Sequence, residues 1–244
     1  MGTPDFAVPS LEILISNGFI LQTVVTAPDR PQGRGLEVRP TPVKTAALRH
    51  GLPLLQPESL KDPSFVAAVS SLHPDLIVVV AFRILPREVF SIPRYGAFNL
   101  HASLLPQYRG AAPINWAIIN GETTTGVTTF FLEEKVDTGG IILQAKLPIG
   151  SDDDAGSIHD KLARLGADAV LRTVRLIESG KPAPVPQDNT LATPAPKIFP
   201  NDCRIRWDMP AERVRNFIRG LSPFPAAWMD AMNGSMSLAL VSLP

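Results

Sequence analysis

Ala7, Leu11 and Leu14 recur at helical spacing, with Val8 and Ile15 beside them and Gly18 following as a stop. The pattern predicts a short amphipathic helix carrying Pro9 in its first turn. Ile20 to Thr26 is a β-rich run. Helical periodicity returns near Val43 to Arg49 and Ser64 to Leu72, and His73-Pro74 then breaks into the apolar run Leu76 to Val80. A run of that kind is typical of a buried parallel strand. Further strands are expected to end at Phe98-Asn-Leu-His101 and to cover Val127 to Leu132 and Ile141 to Leu147. Ile158, Leu162, Leu165, Ala169 and Leu176 mark a long helix from Gly156 to Ser179. Strands alternating with helices predict an α/β fold, Rossmann-like and doubly wound, whose mostly parallel sheet takes ligands at the carboxyl ends of its strands.

Two stretches depart from this rhythm. Residues Ala27 to Pro42 hold Pro28, Pro31, Pro40 and Pro42 with Gly33 and Gly35, punctuated by Arg30, Arg34 and Arg39. They read as a long exposed loop, of the kind that is usually functional or disordered. From Lys181 the composition shifts, and six prolines between Pro182 and Pro200 read as an extended linker. A short helix near Ala211 to Arg219 and a hairpin around Asn233-Gly234 follow. The expected organisation is a catalytic domain over 1–181, a linker over 182–203, and the start of a small OB-like β-barrel over 204–244. A fold of this kind opens on a strand, whereas this chain begins on the Gly2-Thr-Pro-Asp turn, so the first strand and part of the C-terminal barrel are expected to be missing.

Composition narrows the function classes. Hydrophobic residues make up 45% of the 244-residue chain and charged residues 19%, ordinary values for a globular protein with a real core. Lys+Arg and Asp+Glu both total 23, so any contact with nucleic acid must use a local patch rather than bulk charge. A single cysteine, Cys203, excludes an intrachain disulfide and a Cys-based zinc site. With no signal-like N-terminus and no apolar run of membrane-spanning length, the expectation is a cytoplasmic, monomeric protein without membrane anchor or DNA partner. No G-x-G-x-x-G follows a strand, and there is no Walker A sequence and no H-E-x-x-H, so no nicotinamide cradle and no metal site are expected. His50, His73 and His159 stand apart and read as surface or capping residues, and Trp116, Trp207 and Trp228 as packing residues.

The densest group of reactive side chains is Asn99, His101, Ser103, Arg109 and Asp137. Asn99 and His101 are two apart, so an extended strand points both to one face, at its carboxyl end. Asp137-Thr-Gly139 follows a second strand and could lie alongside, although Asp-Thr-Gly alone is common in turns.

Phe98-Asn-Leu-His-Ala-Ser-Leu-Leu-Pro-Gln-Tyr-Arg-Gly110 together with Asp137-Thr-Gly139 resembles the signature of the folate-dependent formyltransferases. Gly2-Thr-Pro-Asp-Phe6, Pro28-Asp-Arg-Pro-Gln-Gly-Arg-Gly35, Ser103 to Pro113 and Leu221-Ser-Pro-Phe-Pro-Ala-Ala-Trp228 are similar to the branch of that family acting on initiator tRNA. The resemblance spans essentially the whole chain. It implies transfer of the formyl group of 10-formyltetrahydrofolate to the α-amine of initiator methionyl-tRNA, in translation initiation. It places the catalytic Asn, His and Asp on Asn99, His101 and Asp137. The folate-contacting loop falls on Ser103, Leu104, Leu105 and Pro106, and the tRNA-binding insertion on Arg30, Arg34 and Arg39, with Arg34 the most telling. The same Asn/His/Asp centre also serves sugar-nucleotide N-formyltransferases, which have no need of the arginine loop, and formyltetrahydrofolate hydrolases, in which water replaces the amine.

Overall fold

The computed structural model describes residues 1–32, 37–231 and 234–238. The chain folds into two compact units. The first comprises Met1–His101, Thr129–Leu143 and Ala163–Gln187; the second comprises Ala102–Thr128, Gln144–Leu162 and Asp188–Pro244. In chain order the helices are α1 (Val8–Ser16), α2 (Pro42–Arg49), α3 (Pro63–Ser71), α4 (Arg87–Phe90), α5 (Pro113–Ile119), α6 (Ala155–Glu178) and α7 (Ala211–Leu221). The strands are β1 (Val24–Val25), β2 (Arg30–Gln32), β3 (Glu37–Arg39), β4 (Leu54–Leu55), β5 (Ile77–Val80) and β6 (Ala97–His101). They continue with β7 (Arg109–Gly110), β8 (Thr124–Phe131), β9 (Ile141–Pro148), β10 (Pro194–Ala195), β11 (Ala227–Ala231) and β12 (Gly234–Leu238).

The α/β architecture read from the sequence is the one observed. In the first unit β5 and β6 run parallel, with Ile77 opposite Ala97 and Val79 opposite Asn99, inside a sheet of order β5-β6-β8-β9. β1 and β4 form a second parallel pair. Gly2 stands between these pairs: its amide donates to Val25 O at 3.0 Å, and it bridges Val80 in parallel register. A Cβ there would lie 2.7 Å from the Ala7 Cβ and 2.9 Å from Val80 O, so only glycine passes. Next to Gly2 lies a cavity of about 670 Å³ lined by aliphatic side chains, among them Leu14, Leu21, Ile77, Val78 and Ile177. One element differs from the expected pattern: Ile20 to Thr26 forms a strand only at Val24–Val25, where Gly2 and β4 supply partners, and Ile20 is 90% exposed.

Two helices, α2 and α3, start where a side chain closes a free amide. Thr41 Oγ1 accepts from Lys44 N ahead of Pro42, and Asp62 accepts from Ser64 N ahead of Pro63. The core of this unit gathers Val25, Leu60, Phe65, Val69, Ile77, Val79 and Val89. The expected loop over Ala27 to Pro42 contains a short antiparallel hairpin instead, β2 with β3, because Arg30, Pro31 and Gln32 find register partners in Arg39, Val38 and Glu37.

In the second unit α5 packs against α7. The Asn115 amide donates to Gly220 O at 2.8 Å, and a Cβ on Gly220 would stand 2.6 Å from an Ile119 side-chain carbon. Cys203, Ile205, Val214, Leu221 and Ala227 form its core. β11 and β12 pair antiparallel from Ala227↔Leu238 to Ala231↔Gly234; Asn233, expected in the turn, lies outside the described residues. Trp116 and Trp228 each donate a hydrogen bond to a carbonyl, of Pro196 and Pro200. Trp207 is not a packing residue: it is 60% exposed, since the turn after Ile205 carries it away from the core.

Candidate active site

β6 owes its position to Ala97, Phe98 and Leu100, all buried, which fix the strand in the sheet. With that register set, Asn99 and His101 project to the same face at the carboxyl end. His101 is 6% exposed and Asp137 is 9% exposed. The His101 Nδ1 lies 3.8 Å from the Asp137 Oδ2, an ion-pair distance longer than a single hydrogen bond. The three residues therefore belong to one unit, two of them on one strand and the third brought back by the 132–140 connection between β8 and β9.

That connection is tightly specified. Asp137 adopts φ +55°, a left-handed conformation that aspartate tolerates better than most residues. Two residues on, a Cβ at Gly139 would fall 1.8 Å from Phe131 O, so the chain can close there only as glycine. Thr138 Oγ1 donates to Lys135 O at 3.0 Å. The Gln187 amide donates to the carbonyls of Asp137 and Gly139, at 3.0 and 2.8 Å. Sequence reading passed over Gln187, which sits among prolines in a stretch that looked like a connector.

The Ser103–Pro106 segment lies in the second unit, around a buried hydroxyl that the sequence did not flag. Thr128 Oγ1 donates to Ser103 O at 2.7 Å and accepts from Leu105 N and from the Gln144 amide, each at 3.0 Å. One hydrogen and two lone pairs are all used. Gln144 donates as well to Leu105 O at 2.8 Å, and Ser103 Oγ to Gln107 O at 2.6 Å. The Leu105–Pro106 peptide bond is cis. Just beyond, Tyr108 donates its hydroxyl to Glu122; burial and that hydrogen bond push its phenol up to about 12. Thr128 was hidden because a threonine in an alternating strand reads as ordinary β-sheet composition.

Of the three arginines singled out, Arg30 and Arg39 sit directly opposite one another on the β2–β3 hairpin, both exposed. Arg34 lies outside the described residues. At the foot of the hairpin Asp29 accepts from Lys44 and Gln56, which hold its carboxyl below the ordinary value. The scattered histidines have local partners. His50 caps α2 and contacts Glu12 at 2.7 Å, His73 Nδ1 is 3.0 Å from Ser71 O, and His159 is 3.0 Å from Asp160. Among the described residues no cluster of His, Cys, Asp or Glu could hold a metal ion, and no helix is long and apolar enough to cross a membrane.

Known proteins match this chain along its length. The formyl transferase family model matches residues 2–174, and the formyl transferase C-terminal domain model matches residues 197–243. The methionyl-tRNA formyltransferase of Bacteroides fragilis is 52% identical over 247 residues, covering 100% of this chain and 76% of the relative. The enzyme of the same name from Bacteroides thetaiotaomicron is 53% identical over 237 residues, covering 96% and 74%. Among solved structures, an N-formyltransferase from Helicobacter canadensis, in complex with folinic acid and dTDP-3-aminofucose, superposes with a TM-score of 0.67 at 22% identity, covering 90% of this chain and 78% of that one. With a family model over residues 2–174 and half of its positions shared with such relatives, the chain belongs to the formyl transferase family and, within it, to the methionyl-tRNA formyltransferases.

Proposed function

We propose that the protein transfers the formyl group of 10-formyltetrahydrofolate to the α-amino group of initiator methionyl-tRNA, with Asn99, His101 and Asp137 as the reacting centre. The observation that carries this reading is the meeting of a buried imidazole and a buried carboxylate at 3.8 Å beside an asparagine on the same strand face.

The chemistry follows from those three groups. The amine of the acceptor adds to the formyl carbon, forming a C–N bond and a tetrahedral intermediate with an oxyanion. The Asn99 amide and the His101 imidazole donate hydrogen bonds to that oxygen, and one such donor is typically worth about 3–4 kcal/mol of barrier. Asp137 orients His101 and accepts the proton that the attacking amine loses, directly or through water. The intermediate collapses by breaking the bond between the formyl carbon and N10 of the folate, and the proton ends on that nitrogen. No acyl-enzyme is needed, so no nucleophilic serine or cysteine takes part. Ser103, Leu104, Leu105 and Pro106 are assigned to the folate, and Arg30, Arg34 and Arg39 to tRNA phosphates and unpaired bases, which guanidinium groups bind in bidentate and stacked fashion. Residues 1–181 are assigned to catalysis and 204–244 to further tRNA contact.

The test is incubation with 10-formyltetrahydrofolate and charged initiator tRNA. The expected product is formylmethionyl-tRNA. Formate released at the same rate with no acceptor present would instead identify a hydrolase, and formylation of an amino-sugar nucleotide in preference to tRNA would move the chain to that branch.

A further inference from the structure

The stretch after α6 is proline-rich, yet it is pinned along the edge of the first unit. Val185 exchanges two backbone hydrogen bonds of 2.8 Å with Ile141, the first residue of β9, as an antiparallel bridge. One residue earlier, Pro184 lies so close that a Cβ on Gly140 would stand 2.9 Å from its own Cβ. Two residues later, the Gln187 Nε2 reaches the carbonyls on both sides of Thr138, Asp137 O at 3.0 Å and Gly139 O at 2.8 Å. Carbonyls only accept, so this fixes which way the amide faces and engages both of its hydrogens. The residue gripped on one side is Asp137, whose φ of +55° is disfavoured for a residue with a side chain and persists only where its surroundings over-determine it.

We infer that Gln187 is a positioning residue for the reaction: by holding the two carbonyls that flank Thr138, it aims the Asp137 carboxylate at His101. The inference rests on the role proposed above for Asp137. Gln187 is partly exposed, so its replacement opens no void in the core.

The experiment compares Gln187→Leu and Gln187→Glu with the native chain. Leucine removes both hydrogen bonds; glutamate keeps the shape but has no hydrogen to offer at neutral pH. At neutral pH both should lower kcat by roughly ten- to a hundredfold, as expected for a slightly misplaced catalytic group. KM for formyl-folate and for charged tRNA should stay within about twofold, since ground-state binding is untouched. Melting temperatures should remain close to native. As the pH falls into the carboxyl range, Gln187→Glu regains a hydrogen and should close its gap to the native chain measured at the same pH, which Gln187→Leu cannot do. Native kcat in either variant overturns the inference, as does a loss of kcat that travels with raised KM and a lowered melting temperature. Should the native chain fail to formylate tRNA, the proposed function falls, and backbone amide exchange over residues 137–140 then decides. Faster exchange confined to that turn in Gln187→Leu supports the positioning role, and unchanged exchange overturns it.

Discussion

At the scale of single residues, two kinds of side chain matter, those that would meet the reacting atoms and those that hold backbone in place. In the proposed mechanism Asn99→Ala removes an oxyanion donor and Asp137→Ala removes the proton acceptor beside His101. Each is expected to lower kcat by at least about a hundredfold, the usual cost of one such group. Equilibrium binding of a stable formyl-folate analogue should remain near native, and near-normal turnover in either variant would withdraw the assigned role. Thr128 is of the second kind. Its fully buried hydroxyl serves Ser103 O, Leu105 N and Gln144 at once. Thr128→Val keeps the volume but leaves those partners unmet, a cost of about 1–3 kcal/mol for each buried group left unsatisfied. Thermal unfolding should show a clear drop for valine and recovery in Thr128→Ser, with a raised KM for formyl-folate in the valine variant only.

The scale of elements shows what the sequence made legible. Helices and buried strands were visible because their periodicity and apolar runs are local, and observed bounds such as Ala97–His101 and Ala155–Glu178 fall within a few positions of those expected. Asn99 and His101 could be paired in advance because strand geometry alone puts residues i and i+2 on one face. What the pattern could not carry was anything made by partners distant in the chain. The β2–β3 hairpin escaped notice because prolines and glycines mimic a loop, while its pairing of Arg30 with Arg39 spans nine positions. Gln187 and Thr128 were missed for the same reason: their partners include backbone carbonyls and amides, which no residue letter reveals. The arginine segment yields its own prediction. Arg34→Ala and Arg30→Ala should each raise KM for charged tRNA severalfold and leave KM for formyl-folate unchanged; an unchanged KM for tRNA in both would remove this segment from RNA binding.

Across the whole molecule, charge is balanced, with 23 basic and 23 acidic residues, so long-range steering of a polyanion is weak and recognition depends on local patches.

Arg30 and Arg39 face one another across two short strands, and like charges so placed push those strands apart. On the proposed role, an RNA phosphate laid over the pair would reverse the sign of that force, so the free hairpin is weakest in dilute buffer, where such binding would be strongest. Closing it then opposes part of the attraction at low ionic strength. The dependence of tRNA affinity on salt concentration should for this reason be shallower than about −0.7 per phosphate contacted in log–log terms, and a slope at or beyond that value would show that the strand repulsion plays no part.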